Sequence, residues 1–402
     1  MGSQVDGAAP QPQRPNESCS FKDMENDMPS LPFRFRCSLK DNLTSYLGKN
    51  NPFSRPFDPK TDALWLFDNT AYRLPNGAWH AEYQAAFFLK DSGEDGGKVV
   101  ADIASKLGIG EGDEAEETIR QRVQPFVDTI LPARTVHVTV DPPDGHEVKL
   151  GASGRSGIST NFLNVPGSEM RKNGQSIQTL ASTGAESPEM CMTTTFADAE
   201  GWGIISDIDD TIKRTLTASP LGILRTTFAT PVAEPIEGMP ALYSHIESQL
   251  HPAWFYLSAS PYNLYPFLRD FREQHFPQGS IFLRDASWMN LAGFLASLTS
   301  GTQAYKTSEM EKIHSWLPRR KWICVGDSTQ TDPESYAEIY HKFPTWVRKI
   351  YIRKVTDVAE MNVADKVTDE RFEEAFKGVP REVWRTFDQP QELYAAIDEL
   401  AN

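Results

Sequence analysis

The stretch Trp202–Lys213 reads WGIISDIDDTIK and decides the fold of the second half of the chain. Its first five residues are an almost continuous apolar run, which is typical of a central strand covered on both faces. Two carboxylates, Asp207 and Asp209, leave the end of this strand two residues apart. Both can face one crevice, where one could attack a phosphorus atom while the other handles the leaving-group proton. The alternative is an acidic loop that caps a helix.

Similar apolar runs follow this strand and alternate with candidate helices. The predicted strands are Trp202–Ser206, Trp254–Leu257, Ile281–Arg284, Trp322–Val325 and Lys349–Ile352, and the predicted helices are Tyr262–His275, Gln303–Leu317 and Glu334–Phe343. This alternation predicts an α/β fold with a mainly parallel, doubly wound sheet. The C-terminal part, Asp369–Leu400, is predicted to be helical and to pack on that core.

Further polar residues follow the second and fourth predicted strands, and ligands of a doubly wound sheet bind beyond the carboxyl ends of its strands. Ser258 lies at a strand tip, where its hydroxyl could bond a phosphoryl oxygen, whereas Ser260 directly precedes a proline and is predicted to cap a helix. Asp327 would face the same crevice as Asp207. Asp332 could be the cap of the next helix or could support a metal site.

Several acidic groups around a phosphate dianion would repel it and one another. A hard divalent cation removes this problem, and Mg²⁺ prefers carboxylate, carbonyl and water oxygens. A lysine is also needed to neutralise the developing charge, and Lys306 is the best-placed candidate, with an ordinary surface lysine as the alternative. A Ser-His-Asp hydrolase is disfavoured because the chain has no G-x-S-x-G elbow.

Together these residues resemble the haloacid dehalogenase superfamily. Its four motifs correspond here to Asp207, Asp209 and Thr211, then Ser258, then Lys306, then Asp327 and Asp332. The resemblance implies a Rossmann-like sheet with a minimal cap, and Asp207 as the nucleophile that forms an aspartyl-phosphate. It implies that Asp209 protonates the leaving alcohol and then activates water. It also implies that Asp207, the Asp209 carbonyl and Asp327 hold Mg²⁺, with Asp332 in support.

A narrower resemblance is to the actin-patch family of phosphatidate phosphatases. It covers about residues 201–356 and rests on Gly203–Lys213, Tyr256–Pro261, Leu264–Leu268, Gly326–Ser328, Asp332–Tyr336 and Ile350–Arg353. Thr329 stands where glycine is expected, and Tyr305 stands where histidine is expected. The resemblance implies a cytoplasmic, Mg²⁺-dependent enzyme, peripheral to membranes at endocytic actin patches, that hydrolyses phosphatidate to diacylglycerol and phosphate.

Two regions could bring such a site to a membrane. The intervals between the motifs leave little room for a large lid, and an open site suits a phosphate presented on a bilayer. The segment Lys213–Phe228 mixes basic and apolar residues, so it could touch an anionic bilayer or form a small cap packed on the core. A basic cluster, Arg348, Lys349, Arg353 and Lys354, could meet headgroups or serve solubility.

The chain before residue 201 is predicted to hold a disordered tail, residues 1–55, and a β-rich α+β domain, residues 56–200. The tail is rich in proline and has no lasting hydrophobic period. Its Pro12–Pro15 segment is a minimal P-x-x-P that could bind an SH3 domain. Its Asn51–Phe53 segment is an Asn-Pro-Phe tripeptide of the kind that EH domains bind. Ordinary proline usage in a loop is the favoured alternative for the first motif, and chance occurrence explains the second equally well.

Within the predicted α+β domain, two apolar segments and one helix have clear patterns. Ala63–Phe67 and Trp79–Phe88 are apolar and aromatic, and Glu114–Ile130 has helical periodicity. Thr135–Val140 alternates and turns into Glu147–Leu150, which predicts a β-hairpin. Residues 201–402 are then the catalytic domain, ending in C-terminal helices.

Composition excludes several other classes of protein. The net charge is −15, from 40 Lys+Arg against 55 Asp+Glu, which argues against a nucleic-acid binder. No run approaches the ~18–20 apolar residues of a membrane span, so a transport ATPase is disfavoured. The start of the chain lacks the apolar stretch of a secretory signal, and its 4 cysteines lie far apart, so we expect a reducing cytosol.

Two rival functions remain open beside a phosphatidate phosphatase. One is a phosphatase of phosphoproteins or soluble phosphate esters at the same open site. The other is an endocytic adaptor whose phosphatase core is inactive. The intact set of motifs favours an enzyme, since an adaptor has no use for Asp207 beside Asp209.

Overall fold

The computed structural model describes residues 51–90, 96–109, 114–142, 145–183, 187–284, 301–356 and 364–401. The Pro12–Pro15 motif lies outside these residues. The described strands form a nine-stranded mixed sheet before residue 200 and a six-stranded sheet after it. The chain is therefore an α/β protein that is built on two sheets.

The first sheet contains both antiparallel and parallel pairs. Its strands are β1 (Arg55–Pro56), β2 (Asp62–Leu66), β3 (Asn69–Arg73), β4 (Trp79–Leu89), β5 (Arg134–Val140), β6 (His146–Leu150), β7 (Ile158–Asn164), β8 (Ser176–Ala181) and β9 (Cys191–Ala197). Their order is β1-β5-β8-β9-β3-β4-β2, with β6 beside β5 and β7 beside β4. The predicted hairpin is confirmed as the antiparallel pair β5–β6. Two helices follow β4, α1 (Gly97–Leu107) and α2 (Glu114–Val127).

The second sheet is parallel throughout. Its strands are β10 (Trp202–Asp207), β11 (Ala253–Pro261), β12 (Ser280–Arg284), β13 (Lys321–Asp327), β14 (Val347–Arg353) and β15 (Trp384–Phe387), in the order β12-β11-β10-β13-β14-β15. All five predicted strands are confirmed. The prediction that the C-terminal part is wholly helical is wrong, because Trp384–Phe387 pairs with β14 as a sixth strand.

The strands of this sheet are apolar on both sides, and helices cover both of its faces. They are α3 (Pro220–Leu224), α4 (Met239–Leu250), α5 (Tyr265–His275), α6 (Thr302–Trp316), α7 (Asp332–Lys342), α8 (Asp369–Ala375) and α9 (Tyr394–Ala401), with a π-helical turn at Arg225–Ala229 and 3₁₀ turns at Pro188–Met190, Tyr262–Leu264, Ala364–Lys366 and Pro390–Leu393. On β10, Ile204 packs in the cluster that contains α4 and α5 residues. Its neighbour Ile205 packs in the cluster that contains α6 and α7 residues.

The strand order places a switch point at the centre of the sheet. The chain runs from β10 outward to β11 and β12, and then returns to the other side of β10 to form β13. Ser206 of β10 is in register with Val325 of β13, so Asp207 and Asp327 leave neighbouring strands at the same edge. This is the position at which open α/β sheets bind their ligands.

The segment Lys213–Phe228 packs on the protein core. Ile223, Leu224 and Phe228 are fully buried in the same cluster as Ile204, and Lys213 is only 2% exposed. The alternative that this segment lies on a bilayer is therefore wrong for these side chains. Arg353 of the predicted basic cluster is also buried. In the described part of the chain, no helix is both long and apolar enough to cross a membrane.

Candidate active site

Asp207 is the last residue of β10 and lies at the centre of a buried charged cluster. Its Oδ1 accepts a hydrogen bond from Lys306 Nζ at 2.6 Å, and its Oδ2 accepts one from Thr211 Oγ1 at 3.0 Å. Lys306 is wholly buried on α6 and also bonds Asp332 Oδ1. The alternative that Lys306 is a surface lysine is therefore wrong.

Asp327 and Asp332 complete this cluster from the end of β13 and the start of α7. The oxygens that Asp207, Asp327 and Asp332 offer lie within 4.8 Å of one another, and all three residues are buried. Asp332 does not cap its helix, because Thr331 precedes the helix and the Asp332 carboxylate instead accepts a bond from the Asp327 backbone N–H at 3.1 Å. The structure thus brings together the three carboxylates that sequence reasoning assigned to a metal.

Gly326 allows this close approach. A Cβ atom at Gly326 would lie 2.6 Å from both Cβ and Oδ2 of Asp332, which is closer than real Cβ contacts. Any larger residue at this position would displace the Asp332 carboxylate. The glycine is therefore needed for space beside the cluster.

The charges in this cluster are not balanced by the protein alone. Burial raises the pKa of Asp207 well above its usual range, and Asp332 adds to this while Lys306 opposes it. Burial together with repulsion from Asp332 raises the pKa of Asp327 to about 8. Burial acts to lower the pKa of Lys306, but Asp207 and Asp332 outweigh it and raise that pKa. Lys306 thus pairs with two of the three carboxylates, and no ion pair joins Asp327 to another described residue.

A divalent cation fits this arrangement. Asp327 Oδ2 is buried and accepts no hydrogen bond from the described residues, whereas Asp327 Oδ1 is bonded by the N–H and hydroxyl of Thr329. A buried carboxylate oxygen without a donor is costly unless something else neutralises it. Carboxylate oxygens at this spacing are the ligands that Mg²⁺ prefers.

Asp209 lies beside this cluster in a pocket of its own. Its Oδ2 accepts hydrogen bonds from Ser258 Oγ at 2.6 Å and from Ser260 Oγ at 3.3 Å. Its Oδ1 accepts one from Thr215 Oγ1 at 2.8 Å and lies 3.5 Å from Lys213 Nζ. The Asp209 side chain is thus not among the three clustered carboxylates. Sequence reasoning gave this residue a metal role through its backbone carbonyl only.

The partners of Asp209 keep it ionised. Burial acts to raise its pKa, but the Lys213 ammonium and the hydrogen bonds from Ser258 and Thr215 outweigh burial, so the pKa is lowered. Burial lowers the pKa of Lys213, and Asp209 opposes that change. An ionised Asp209 is ready to accept a proton.

Asp210 organises the loop that carries these partners. Its backbone is in the left-handed region at φ 60°, and its carboxylate accepts four hydrogen bonds, from the N–H groups of Thr215, Leu216 and Thr217 and from the Thr217 hydroxyl. Aspartate tolerates this conformation and bonds nearby backbone groups readily. Asp210 therefore folds residues 213–217 back over Asp209.

Sequence reasoning missed three residues of this pocket, Lys213, Thr215 and Ser260. Lys213 and Thr215 fall in the segment for which the sequence left open a bilayer contact or a small cap, because their spacing from Asp209 across a turn carries no periodic signal. Ser260 was predicted to cap a helix, but β11 continues through Pro261 and α5 begins only at Tyr265. The spacing in Ser258-Ala259-Ser260 could have indicated that Ser260 faces the same site as Ser258, because alternate residues of a strand share one face.

Comparisons with known proteins match the part of the chain that holds this cluster. Residues 202–354 match the family model described as the catalytic domain of phosphatidate phosphatase APP1. The phosphatidate phosphatase APP1 of Saccharomyces cerevisiae is 34% identical over 155 residues, which are 38% of this chain and 26% of that protein. An uncharacterised protein of Schizosaccharomyces pombe is 32% identical over 162 residues, 39% of this chain and 26% of that protein. The chain thus spans about a quarter of the length of both curated relatives.

Proposed function

We propose that the protein is a Mg²⁺-dependent phosphatidate phosphatase of the haloacid dehalogenase type, because residues 202–354 match the catalytic-domain family of phosphatidate phosphatase APP1. The reaction hydrolyses phosphatidate to diacylglycerol and phosphate. One observation carries the proposal: Asp207 lies against Lys306 in a buried cluster with Asp327 and Asp332, at the switch point of a parallel sheet.

The proposed cation site uses residues that the chain already holds close together. Asp207, Asp327 and Asp332 would hold Mg²⁺, and the family resemblance adds the backbone carbonyl of Asp209. When bound, Mg²⁺ supplies positive charge that stabilises the phosphoryl oxygens in the transition state. Lys306 supplies a second, permanent positive charge at the Asp207 carboxylate.

In the first step of the proposed mechanism, Asp207 attacks the phosphorus atom. A bond forms between an Asp207 carboxylate oxygen and phosphorus, and the bond between phosphorus and the ester oxygen breaks. Asp209 gives its proton to the departing alcohol. Because its partners keep the Asp209 pKa low, the negative charge of the bound phosphate must first raise that pKa so that Asp209 carries the proton.

In the second step, water hydrolyses the aspartyl-phosphate. Asp209 now takes a proton from the water, whose oxygen bonds to phosphorus as the bond to Asp207 breaks. Phosphate leaves, and the Asp207 carboxylate is regenerated. One Asp209 carboxyl group therefore serves as acid and then as base, which requires it to be held firmly between Ser258 and Thr215.

The lipid substrate is supported by the family and by the small size of the elements around the site. Between Thr211 and the start of β11 at Ala253 the chain holds only α3, a π-helical turn and α4, which are short elements packed on the core. We take this as the minimal cap of the haloacid dehalogenase fold. Such a cap suits a phosphate that is presented on the surface of a membrane. The location that matches this substrate is the cytoplasm, with the protein peripheral to membranes.

The Asn-Pro-Phe motif supports a proposed EH-domain partner. Asn51 Oδ1 accepts a hydrogen bond from the Phe53 N–H at 2.9 Å, which closes a turn, and the Phe53 ring is 50% exposed. Asn51 itself is buried, so an EH domain would have to draw it outward. An SH3-domain partner at Pro12–Pro15 and a link to actin patches remain proposals from the sequence.

The test measures phosphate release from phosphatidate in mixed micelles, with and without Mg²⁺, for the unaltered protein and for Asp207→Asn. A soluble aryl phosphate and a phosphopeptide serve as parallel substrates. We expect Mg²⁺-dependent release that strongly favours the lipid and is abolished in Asp207→Asn, while the variant stays folded. Phosphate release only from the soluble substrates would contradict the lipid assignment and favour a phosphatase of phosphoproteins or soluble phosphate esters. No phosphate release from any of the three substrates would favour an adaptor with an inactive core.

A further inference from the structure

A loop of four residues, Ser328–Thr331, joins β13 to α7 and separates two of the clustered carboxylates, Asp327 and Asp332. Its position therefore decides where both carboxylates lie. Thr329 bonds Asp327 Oδ1 through its backbone N–H at 2.5 Å and through its hydroxyl. Whatever holds this loop consequently also holds the candidate cation site.

Two cations from the C-terminal segment bond three successive carbonyl groups of this loop. Arg371 donates to the Ser328 oxygen and, at 2.8 Å, to the Gln330 oxygen. Lys366 Nζ donates to the Thr329 oxygen between them. With its carbonyl groups held from one side, the loop is set so that the Thr329 N–H points toward Asp327.

The Arg371 side chain is itself held in place before it reaches the loop. Its guanidinium also donates to the Lys366 oxygen at 2.7 Å and to Glu334 Oε1 at 3.3 Å. Helix α8 is anchored by Phe372, which is buried in the cluster beneath α6 and α7. Its first turn is capped by the Thr368 hydroxyl, which accepts from the Arg371 N–H.

We propose that Arg371 and Lys366 are positioning residues for the cation site. They act through the loop, which keeps Asp327 Oδ1 on Thr329 and leaves Oδ2 for the cation. Both lie beyond residue 354, where the match to the catalytic family ends. The working site of this chain therefore includes the C-terminal segment. The cation-binding part of this inference stands without the proposed reaction, and the turnover part rests on it.

The test combines Mg²⁺ binding by titration calorimetry with turnover of a soluble aryl phosphate. We expect Arg371→Met to lower Mg²⁺ affinity by ~10-fold, because partners that orient metal ligands have effects of this size. The same variant should lower kcat while leaving KM for the aryl phosphate unchanged. Lys366→Met should act in the same direction. Arg371→Lys should recover only part of the loss, since Arg371 bonds the Ser328 and Gln330 oxygens through two different guanidinium nitrogens, and the single nitrogen of a lysine cannot occupy both positions.

Arg381→Met is the matched control. Arg381 lies in the same C-terminal segment, bonds only the Trp384 oxygen among the described contacts, and stacks on the Trp384 ring at 3.9 Å. Its loss should leave Mg²⁺ affinity and kcat unchanged. An equal effect of Arg381→Met and Arg371→Met would overturn the proposal, since general destabilisation would then explain both.

Unchanged Mg²⁺ affinity in folded Arg371→Met and Lys366→Met would also overturn the proposal. If Arg371→Met fails to fold, Lys366→Met and Arg371→Lys decide the question. An unaltered protein that binds Mg²⁺ but releases no phosphate would contradict the proposed function, while the calorimetric comparison would still support or refute the positioning role. An unaltered protein that binds no Mg²⁺ would contradict both.

Discussion

At the scale of single residues, Lys306 makes more contacts within the site than its position in the sequence suggested. It is fully buried, and its ammonium group bonds Asp207 at 2.6 Å and also Asp332. Without it, two buried carboxylates would lose their shared positive partner. Under the proposed function we therefore expect the residue to contribute to rate as well as to stability.

We predict that Lys306→Met lowers kcat by on the order of 10²–10³, the usual cost of removing one donor that stabilises transition-state charge. The melting temperature should also fall, because Asp207 and Asp332 lose a buried partner. Lys312→Met on the same helix is the control, since Lys312 pairs with Glu82 at 3.0 Å and Glu309 at 2.8 Å, away from the cluster. A kcat for Lys306→Met within a factor of about two of the control would show that another cation fills the role.

A second residue-scale prediction concerns Gly326. In Gly326→Ala the new Cβ would collide with Asp332, so Asp332 must move and Mg²⁺ affinity should fall by ~10-fold. Gly154→Ala is the control, because a Cβ there would meet only the Ile158 oxygen at 3.7 Å. The comparison is made by calorimetric Mg²⁺ titration. Equal affinities for the two variants would contradict the close packing that we describe.

At the scale of secondary structure, the parallel sheet could be predicted almost completely from the sequence, but the edge strand β15 could not. The five predicted strands, four central ones and β12 at the other edge, are almost continuous apolar runs, a signal that depends on burial on both faces. Strand β15 has four residues, Trp384–Phe387, and its two buried aromatic residues have a spacing that also fits a helix. Only pairing with β14, a long-range contact, selects the strand.

We predict that Trp384→Ala destabilises the protein by roughly 3–5 kcal/mol, the range for large-to-small changes at buried aromatic residues. Trp384 is buried and stacks on Phe376 of the segment that follows α8, with ring centroids 4.6 Å apart. Arg385→Ala, an exposed neighbour in the same strand, should cost far less. Urea unfolding measures both variants. Equal free energies of unfolding would argue that β15 is not part of the folded sheet.

The residues around Asp209 mark the limit of sequence reasoning. The order Asp207, Asp209, Ser258, Lys306 and Asp327 could be predicted, because each follows or flanks a recognisable strand or helix. Lys213 could not, because a loop folded by Asp210 brings it inward. Ser260 was missed because a strand extension, and not the predicted helix cap, brings it to Asp209. Loop geometry depends on contacts that no local pattern records.

At the scale of the whole molecule, the two sheets are joined by a buried ion-pair network around Asp68. Asp68 lies between β2 and β3, and its Oδ2 accepts from Arg272 of α5 at 2.8 Å and lies 3.5 Å from Arg269 Nε. Its backbone N–H donates to the Tyr265 hydroxyl at 2.7 Å. Residues from both halves also share one hydrophobic cluster, among them Phe88 with Tyr262.

We predict that Asp68→Asn lowers the free energy of unfolding by ~3 kcal/mol, because Arg272 would keep its charge in a buried place with only Glu273 as a carboxylate partner. Asp198→Asn is the control, since its pair with Arg73 is partly exposed and should contribute less than ~1 kcal/mol. Urea unfolding compares the two. A cost for Asp68→Asn no larger than the control would mean that the network does not join the two halves.

The central claim is that Asp207 accepts the phosphoryl group, and trapping that intermediate tests it most directly. Asp209→Asn protein is mixed with a soluble aryl phosphate and Mg²⁺, quenched in acid within one turnover and analysed by peptide mass spectrometry. The account predicts a phosphoryl group on Asp207, because an aryl oxide leaves without a proton from Asp209 and the variant lacks the base that activates water for the second step. Release of the aryl alcohol by this variant with no phosphoryl group on the Asp207 peptide would contradict it.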